Sequence, residues 1–386
     1  MTTPKSIGFP RMEQEVGEKR VFLPDFIQRM ANLGFQVMIE EGYGSRSGFD
    51  KADYRQGNIK VSFGSRQDVF DQDLVLILRS PDKDFERMKP GTILMSMLHY
   101  PTHPKRVPRF LELGLKTISL DSIINDNDVR LMENMRAVAW NGLEVAFGLL
   151  EDRWPRFMRP DGKPIQILLL GTGMVGKHAV DAAVHLGNIE RNNERIAVGG
   201  PGVICRAVGR NLSEQADEMF ARLRNTDILI DATQRRNPAK PVIPNKWIQH
   251  LPEHAILVDL SVDPYIPDVD PPVVRGIEGV PKGDLDKYVF QPADPDWENT
   301  VAPGIPTQHR RTTVTCYSWP GFHPEACMIH YAQQLNPMMP VLFKKGYDGL
   351  SLRGGFFERA LYRATLKNWE KELDNKMIWN GDKSYP

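Results

Sequence analysis

Residues 165–170 form an aliphatic run of strand length that closes on Gly171, Gly173 and Gly176, and the helix-like residues 179–186 follow at once. This is the pattern of a buried parallel strand turning tightly into a helix. Each glycine has its own reason to be there. Gly171 permits the turn, Gly173 lets backbone approach a pyrophosphate, and Gly176 allows the helix to pack closely on the strand. With Met174 and Val175 between them, they predict a dinucleotide-binding turn. Its phosphates would sit at a helix N-terminus, where free N–H groups and the helix dipole favour anions. The same residues up to Lys177 also spell the spacing of a P-loop, the mark of an ATPase. His178 argues against that alternative, because a P-loop needs a Ser or Thr hydroxyl there to hold magnesium.

Other residues able to do chemistry stand at the ends of apolar runs. Arg79 terminates the run 73–79, so its head emerges at the carboxyl end of a strand, where ligands of open α/β sheets bind; a strand-end ion pair is the plainer alternative. His99 follows the run 93–98, and an imidazole can exchange a proton near neutrality. His103, next to Pro104, is a secondary candidate. Arg20 lies on a basic loop entering a helix and reads by itself as a solvated surface charge. Asp259 and Asp263 flank the end of the run 255–260, and Asp263, just before Pro264, reads by itself as a loop cap. Arginine stays protonated, with a pKa above about 12, so it can orient a carboxylate or keto oxygen but cannot act as a base. A lone histidine is more often structural, and on its strand-end position alone His99 is a candidate acid/base.

The elements that must hold these residues alternate. Strands are expected at 6–10, 35–39, 73–79, 92–98 and 116–120, with helices at 25–33, 104–113 and 130–150; such alternation predicts a parallel sheet covered on both faces. The proline- and charge-rich stretch 154–164 is the best linker. Beyond it, strands at 165–170, 203–208, 227–232 and 255–260, with a helix at 213–224, predict a second doubly wound sheet. Residues 264–306 read as long loops. A strand at 312–317 and helices at 325–334 and 356–373 finish the chain.

At 386 residues the chain is too long for one typical core, and two domains are expected. Acidic and basic residues balance at 49 each, which argues against nucleic acid or an anionic membrane as the main partner. No apolar run approaches the roughly 18–20 residues that span a bilayer, and the N-terminus does not read as a signal peptide, so a cytoplasmic location is expected. Cys205, Cys316 and Cys327 have no C-x-x-C spacing, which supports neither a disulfide framework nor a metal site.

Several segments, taken in order, resemble the family of alanine dehydrogenase and the cofactor-binding subunit of membrane transhydrogenase, with saccharopine dehydrogenases and carboxyethyl-amino-acid (opine) synthases as relatives. They are Ile7-Gly8-Phe9-Pro10, Glu18-Lys19-Arg20-Val21-Phe22-Leu23-Pro24, Glu40-Glu41-Gly42-Tyr43-Gly44, residues 76–81, Leu98-His99, Gly171 to Gly176, and Val258-Asp259-Leu260-Ser261-Val262-Asp263. The resemblance implies an α/β protein of two Rossmann-like lobes with the cofactor cleft between them. Residues 1–140 and 306–386 would form the catalytic lobe, and residues 141–305 the dinucleotide-binding lobe. It further implies that Arg20 grips the substrate carboxylate, that His99 is functional, and that Asp263 lies near nicotinamide and substrate. The family commonly has a lysine where this chain has Arg79, and an Asn-Met-Pro segment where this chain has Ser318-Trp319-Pro320.

The expected activity is that of an NAD(P)-dependent oxidoreductase acting on the C–N bond of an amino acid, by oxidative deamination or by reductive condensation of a keto acid with an amine. A transhydrogenase-like subunit or sensor without amino-acid chemistry is the alternative, suggested by Arg79. The partner is a small keto acid or amino acid, and self-association into a homo-oligomer stays open. No Asp or Glu stands where an NAD site places its ribose-binding carboxylate, while Arg206 and Arg210 lie near the end of the expected second strand; this favours NADP over NAD.

Overall fold

The computed structural model describes residues 3–12, 16–103, 105–187, 201–235 and 237–380, with 374–380 described for backbone alone. The chain divides into two compact units, Met1–Asn134 with Pro324–Pro386, and Met135–His323.

The first unit contains β1 (Ser6–Phe9), β2 (Gln36–Glu40), β3 (Val61–Gly64), β4 (Leu74–Arg79), β5 (Ile93–Met97) and β6 (Lys116–Ser119). They form one parallel sheet in the order β3-β2-β1-β4-β5-β6. Both faces are covered, which is why the central strands read as unbroken apolar runs. On one face Phe9, Ile39 and Leu76 share a core with Ile27 of the helix Pro24–Leu33 and with Met328, Leu342 and Leu361 from the far end of the chain. On the other, Val75, Ile77 and Leu94 pack with Phe85 and Phe110.

Three local features differ from expectation. β3 and the short helices Lys51–Arg55 and Arg66–Phe70 occupy a stretch that shows little periodicity. The expected helix 356–373 is two, Phe356–Arg363 and Leu366–Asn380, because the Ala364 carbonyl accepts from the Ser119 amide and Thr365 bridges to Ile118 of β6. Pro104, the start of the helix expected at 104–113, lies outside the described residues; the helix runs Arg106–Glu112.

The second unit contains β7 (Ile165–Leu170), β8 (Val203–Val208), β9 (Ile228–Asp231), β10 (Ile256–Asp259), β11 (Val289–Phe290) and β12 (Thr312–Thr315), in the order β11-β12-β10-β9-β7-β8. All pairs are parallel except β11 with β12. The unit starts earlier than the expected linker. Ala139, Leu143, Phe147 and Leu150 of the helix Met135–Arg153 pack on Ile165, Ile167 and Leu169, and Trp154 and Phe157 of the supposed linker join the same core. The chain also returns to the first unit later than residue 306, at Pro324, because β12 pairs in register with β10.

Tight packing makes one glycine of β1 irreplaceable. A Cβ on Gly8 would stand 2.1 Å from the Val69 carbonyl oxygen, a backbone atom that cannot swing aside. Gly148, on the helix Met135–Arg153, faces open space. Gly8→Ala is therefore expected to lower stability by about 1–3 kcal/mol, whereas Gly148→Ala should raise it by about 0.5–1 kcal/mol; urea midpoints of the two variants check the contrast.

Candidate active site

In the first sheet the strand order reverses between β1 and β4, and the loops leaving the carboxyl ends of such neighbours make the crevice in which open α/β sheets bind ligands. Arg20 lies on the loop after β1 and Arg79 is the last residue of β4. Arg20 is not the solvated charge its loop position suggests, being 3% exposed. Glu18 fills one edge of its guanidinium, with Nε–Oε1 at 2.9 Å and Nη2–Oε2 at 2.5 Å. Burial works against the Glu18 carboxylate, but the Arg20 charge and hydrogen bonds outweigh it and hold its pKa below the ordinary carboxyl range, with Arg79 adding to the effect. The Arg20 guanidinium also acts on the neutral side chains of Cys327 and Tyr331, and burial raises the pKa of both. A recess beside it is lined by Arg11, Lys19, Arg20 and Arg46 together with Gly42 and Gly44.

His99 follows β5, which pairs with β4 through Arg79 and Met97. Its φ of 51° is unusual for a residue with a side chain, and two contacts to Asp121 hold it: the backbone amide donates to Oδ1 at 3.0 Å, and Nδ1 lies 3.4 Å from Oδ2. Ser119 Oγ donates to the same carboxylate at 2.7 Å. Burial pushes the Asp121 carboxyl up, and the His99 and Ser119 contacts pull it further down, well below the usual range. Asp121 is thus a carboxylate that presents Nε2 of a half-exposed imidazole outward. Sequence reading missed both Glu18 and Asp121; the Glu-x-Arg spacing was the available signal for the first. His103 stacks obliquely beside His99 at 6.0 Å between ring centroids.

In the second unit, Gly171 has φ 93°, and a Cβ there would lie 2.6 Å from the Ala232 carbonyl oxygen. A Cβ on Gly176 would lie 2.3 Å from the Gly171 carbonyl oxygen, so the helix Met174–Gly187 can seat against the turn only with glycine at that position. Gly173 is different: nothing lies within 4 Å of its Cβ position. Two glycines are demanded by packing, and the third leaves open space at the start of a helix, which fits a dinucleotide pyrophosphate. Met174 is exposed at the helix start and Val175 is half-buried against the core. Arg210 stands just past β8 and donates to the Gln234 carbonyl at 3.3 Å, on the far side of β7 in the sheet order. Arg206 is exposed within β8, paired in register with Leu168.

Residues 10–139 match the family model for the alanine dehydrogenase/PNT N-terminal domain. The match covers 130 of the 386 residues. Alanine dehydrogenase of Mycobacterium tuberculosis is 24% identical over 275 residues, covering 67% of this chain and 72% of that one. NAD(P) transhydrogenase subunit alpha of Haemophilus influenzae is 20% identical over 285 residues, and the match spans only 55% of its length. Among solved structures, an L-alanine dehydrogenase superposes with a TM-score of 0.66 at 20% identity, covering 93% of this chain and 94% of that one, and a transhydrogenase from Sinorhizobium meliloti with 0.59 at 16%, covering 86% and 92%. At these identities the likeness is one of fold.

Outside residues 10–139, several charged residues gather at the carboxyl edge of the second sheet. Asp263 pairs with Arg235 at 2.8 Å, so it is more than the loop cap its position before Pro264 suggests; burial raises its carboxyl pKa even so. Trp319 is 1% exposed and donates from Nε1 to the Asp259 carbonyl at 2.8 Å, which makes it a core anchor of the loop after β12. Asp259 itself pairs with the buried Arg275 at 2.6 Å. Its neighbour Asp231 is fully buried, and burial together with the Asp259 charge raises its pKa to about 6. Among the described residues no group of three or more His, Cys, Asp or Glu is arranged to hold a metal, and no helix is long and apolar enough to cross a membrane.

The raised Asp231 carboxyl sets a pH dependence of stability. The folded form holds its proton more tightly than the unfolded chain, whose carboxyl titrates near 4. The stabilisation is therefore complete below about pH 4 and lost as pH rises towards 6. Asp231→Asn has no proton to lose, so its stability relative to wild type should climb by up to about 3 kcal/mol across that window and then level off. Urea unfolding at a series of pH values measures the difference; a flat one counts against the assignment.

Proposed function

We propose that the protein is an NAD(P)-dependent oxidoreductase acting on the C–N bond of an amino acid, either by oxidative deamination or by reductive condensation of a keto acid with an amine or amino acid. The observation that carries this reading is the set of Arg20, Arg79 and the His99–Asp121 pair on the carboxyl edge of one sheet, in a chain whose other sheet carries the glycine turn. A bound dinucleotide would exchange hydride between its nicotinamide ring and the substrate carbon. The remaining work falls to the chain. Arg20, fixed by Glu18 and set against Cys327, supplies buried positive charge that attracts a substrate carboxylate, and Arg79 orients the keto oxygen or a second carboxylate. His99 accepts or returns the proton at Nε2, because Asp121 holds Nδ1. Asp263 is proposed to act near the reacting groups, with Arg235 fixing its carboxylate.

A second reading is a nucleotide-binding subunit or sensor without amino-acid chemistry. Arg79 in place of a titratable lysine, and the occupied edge of Arg20, favour it. Turnover separates the two. Oxidation of NADH and NADPH is measured with pyruvate or 2-oxoglutarate, and with ammonia, ornithine or lysine as the amine. His99→Ala should lower kcat by about 10²- to 10⁴-fold and leave dinucleotide Kd nearly unchanged. No turnover with any pairing, despite tight dinucleotide binding, would establish the second reading.

NADP is the proposed cofactor. Arg210 stands past the end of β8, the position from which a 2′-phosphate is reached, and Arg206 lies further back in the strand. Arg210→Ala should weaken NADPH binding by about tenfold to a hundredfold, the worth of one charge-assisted hydrogen bond, and leave NADH binding as it was. Equal NADPH and NADH affinities in the wild type would instead favour NAD.

A further inference from the structure

The last rung of the second sheet reads Val208, Leu170, Asp231, Asp259, Thr315 across neighbouring strands. Two carboxyl groups are therefore side by side on paired parallel strands, with Asp231 0% and Asp259 2% exposed. The two arginines beside them are each paired with a carboxylate. Arg275 Nη1 binds Asp259 Oδ2 at 2.6 Å, with Thr315 Oγ1 at 3.3 Å, and Arg235 binds Asp263. Tyr265 lies under the Arg275 guanidinium. Asp231 is left to neutral groups: its Oδ1 accepts from the Thr233 amide at 3.0 Å and from Thr233 Oγ1 at 2.7 Å, and its Oδ2 faces Ser261 Oγ at 3.0 Å. The space is closed by Gly276, whose Cβ would overlap Asp231 Oδ2.

Counting protons decides the state of this cluster. Ser261 Oγ also lies 3.1 Å from Asp259 Oδ1, and a hydroxyl has one hydrogen to donate. If both carboxyls were ionised, one of the two contacts would be oxygen against oxygen with no hydrogen between them, in a buried site holding two negative charges against one arginine. With one proton on Asp231 Oδ2 every contact is filled: Asp231 donates to Ser261, and Ser261 donates to Asp259. We propose that Asp231 is a neutral acid in the folded protein, sharing one proton with Asp259 through Ser261, and that this buried proton makes dinucleotide affinity depend on pH. The elevated Asp231 pKa agrees with that count.

The link to the dinucleotide is short and lies wholly within the second unit. Asp231 is the register partner of Leu170, the residue before the glycine turn, and the Ala232 amide donates to the Leu170 carbonyl at 2.9 Å. Through Thr233, Asp231 holds the segment whose backbone touches Gly171. Ionising Asp231 adds a negative charge beneath the turn that, on the function proposed above, receives a doubly charged pyrophosphate. The inference rests on that reading. The neutral acid should bind dinucleotide more tightly, so binding takes up a fraction of a proton once pH exceeds the folded pKa of Asp231.

Calorimetric binding of NADH, whose pyrophosphate does not titrate in this range, tests the coupling at pH 6, 7 and 8 in buffers of different ionisation enthalpy. If NADPH is the form that binds, the wild type is compared with Asp231→Asn so that the 2′-phosphate titration cancels. Asparagine copies the neutral acid, because its amide can donate to Ser261 and its oxygen can accept from Thr233. The wild type is expected to lose affinity as pH rises from 6 to 8, at most tenfold per pH unit, with net proton uptake; Asp231→Asn should bind with the same affinity throughout and take up none. Binding without proton uptake in the wild type overturns the coupling alone, and absence of dinucleotide binding at every pH overturns it together with the proposed function. Should the variant fail to fold, the wild type still decides: a protonated-carboxyl infrared band present at pH 5 and gone by pH 8 supports the shared proton, and its absence at pH 5 refutes it.

Discussion

Parallel pairing sends the last residue of every strand to the same edge of the sheet. In each unit that edge gathers loop backbone, strand-end side chains and the starts of helices, and polar groups buried there must find partners or lose their charge. The first unit meets the demand with an ion pair, Glu18 against Arg20, and with the contacts that His99 and Ser119 make to the Asp121 carboxylate. The second meets it with ion pairs at Asp259 and Asp263, and with hydroxyls and an amide at Asp231. The chemistry available to each unit follows from which solution its edge adopted.

Sequence made the central strands readable for a physical reason: a strand buried on both faces has no polar side to interrupt its apolar run, as in Leu74–Arg79 and Ile165–Leu170. It hid the elements whose identity depends on distant contacts. β3 is a short edge strand containing Ser62 and Gly64, with little of its own to set it apart. The break between the last two helices exists because β6 reaches Ala364 and Thr365, which no local pattern announces. Trp154 and Phe157 sit among prolines and charges yet are core residues, so composition alone misread part of this core as a linker.

The site divides along the same line. The glycine turn was readable because backbone geometry demands glycine where two main chains meet. Arg79 and His99 were readable as strand-end residues. Glu18 became visible as the partner of Arg20 only once the loop had folded, since its two-residue spacing brings the groups together only in a particular backbone conformation. Asp121 matters because β6 lies beside β5. Asp231 stood in plain view at the end of an apolar strand, and its character comes from having Asp259 as its cross-strand neighbour.

The first unit is built from two separated lengths of chain, and this dictates an order of events during synthesis. Met135–His323 is one uninterrupted stretch and can collapse as soon as it has left the ribosome. The first sheet cannot finish by then, because the face carrying Phe9, Ile39 and Leu76 waits for Met328, Leu342 and Leu361 to cover it, and Lys116 waits for Asp348, 232 residues later. Until those residues arrive, one apolar face of the first sheet lacks its cover. A chain that stopped after residue 323 would hold all of the second unit and leave one apolar face of the first sheet without its cover.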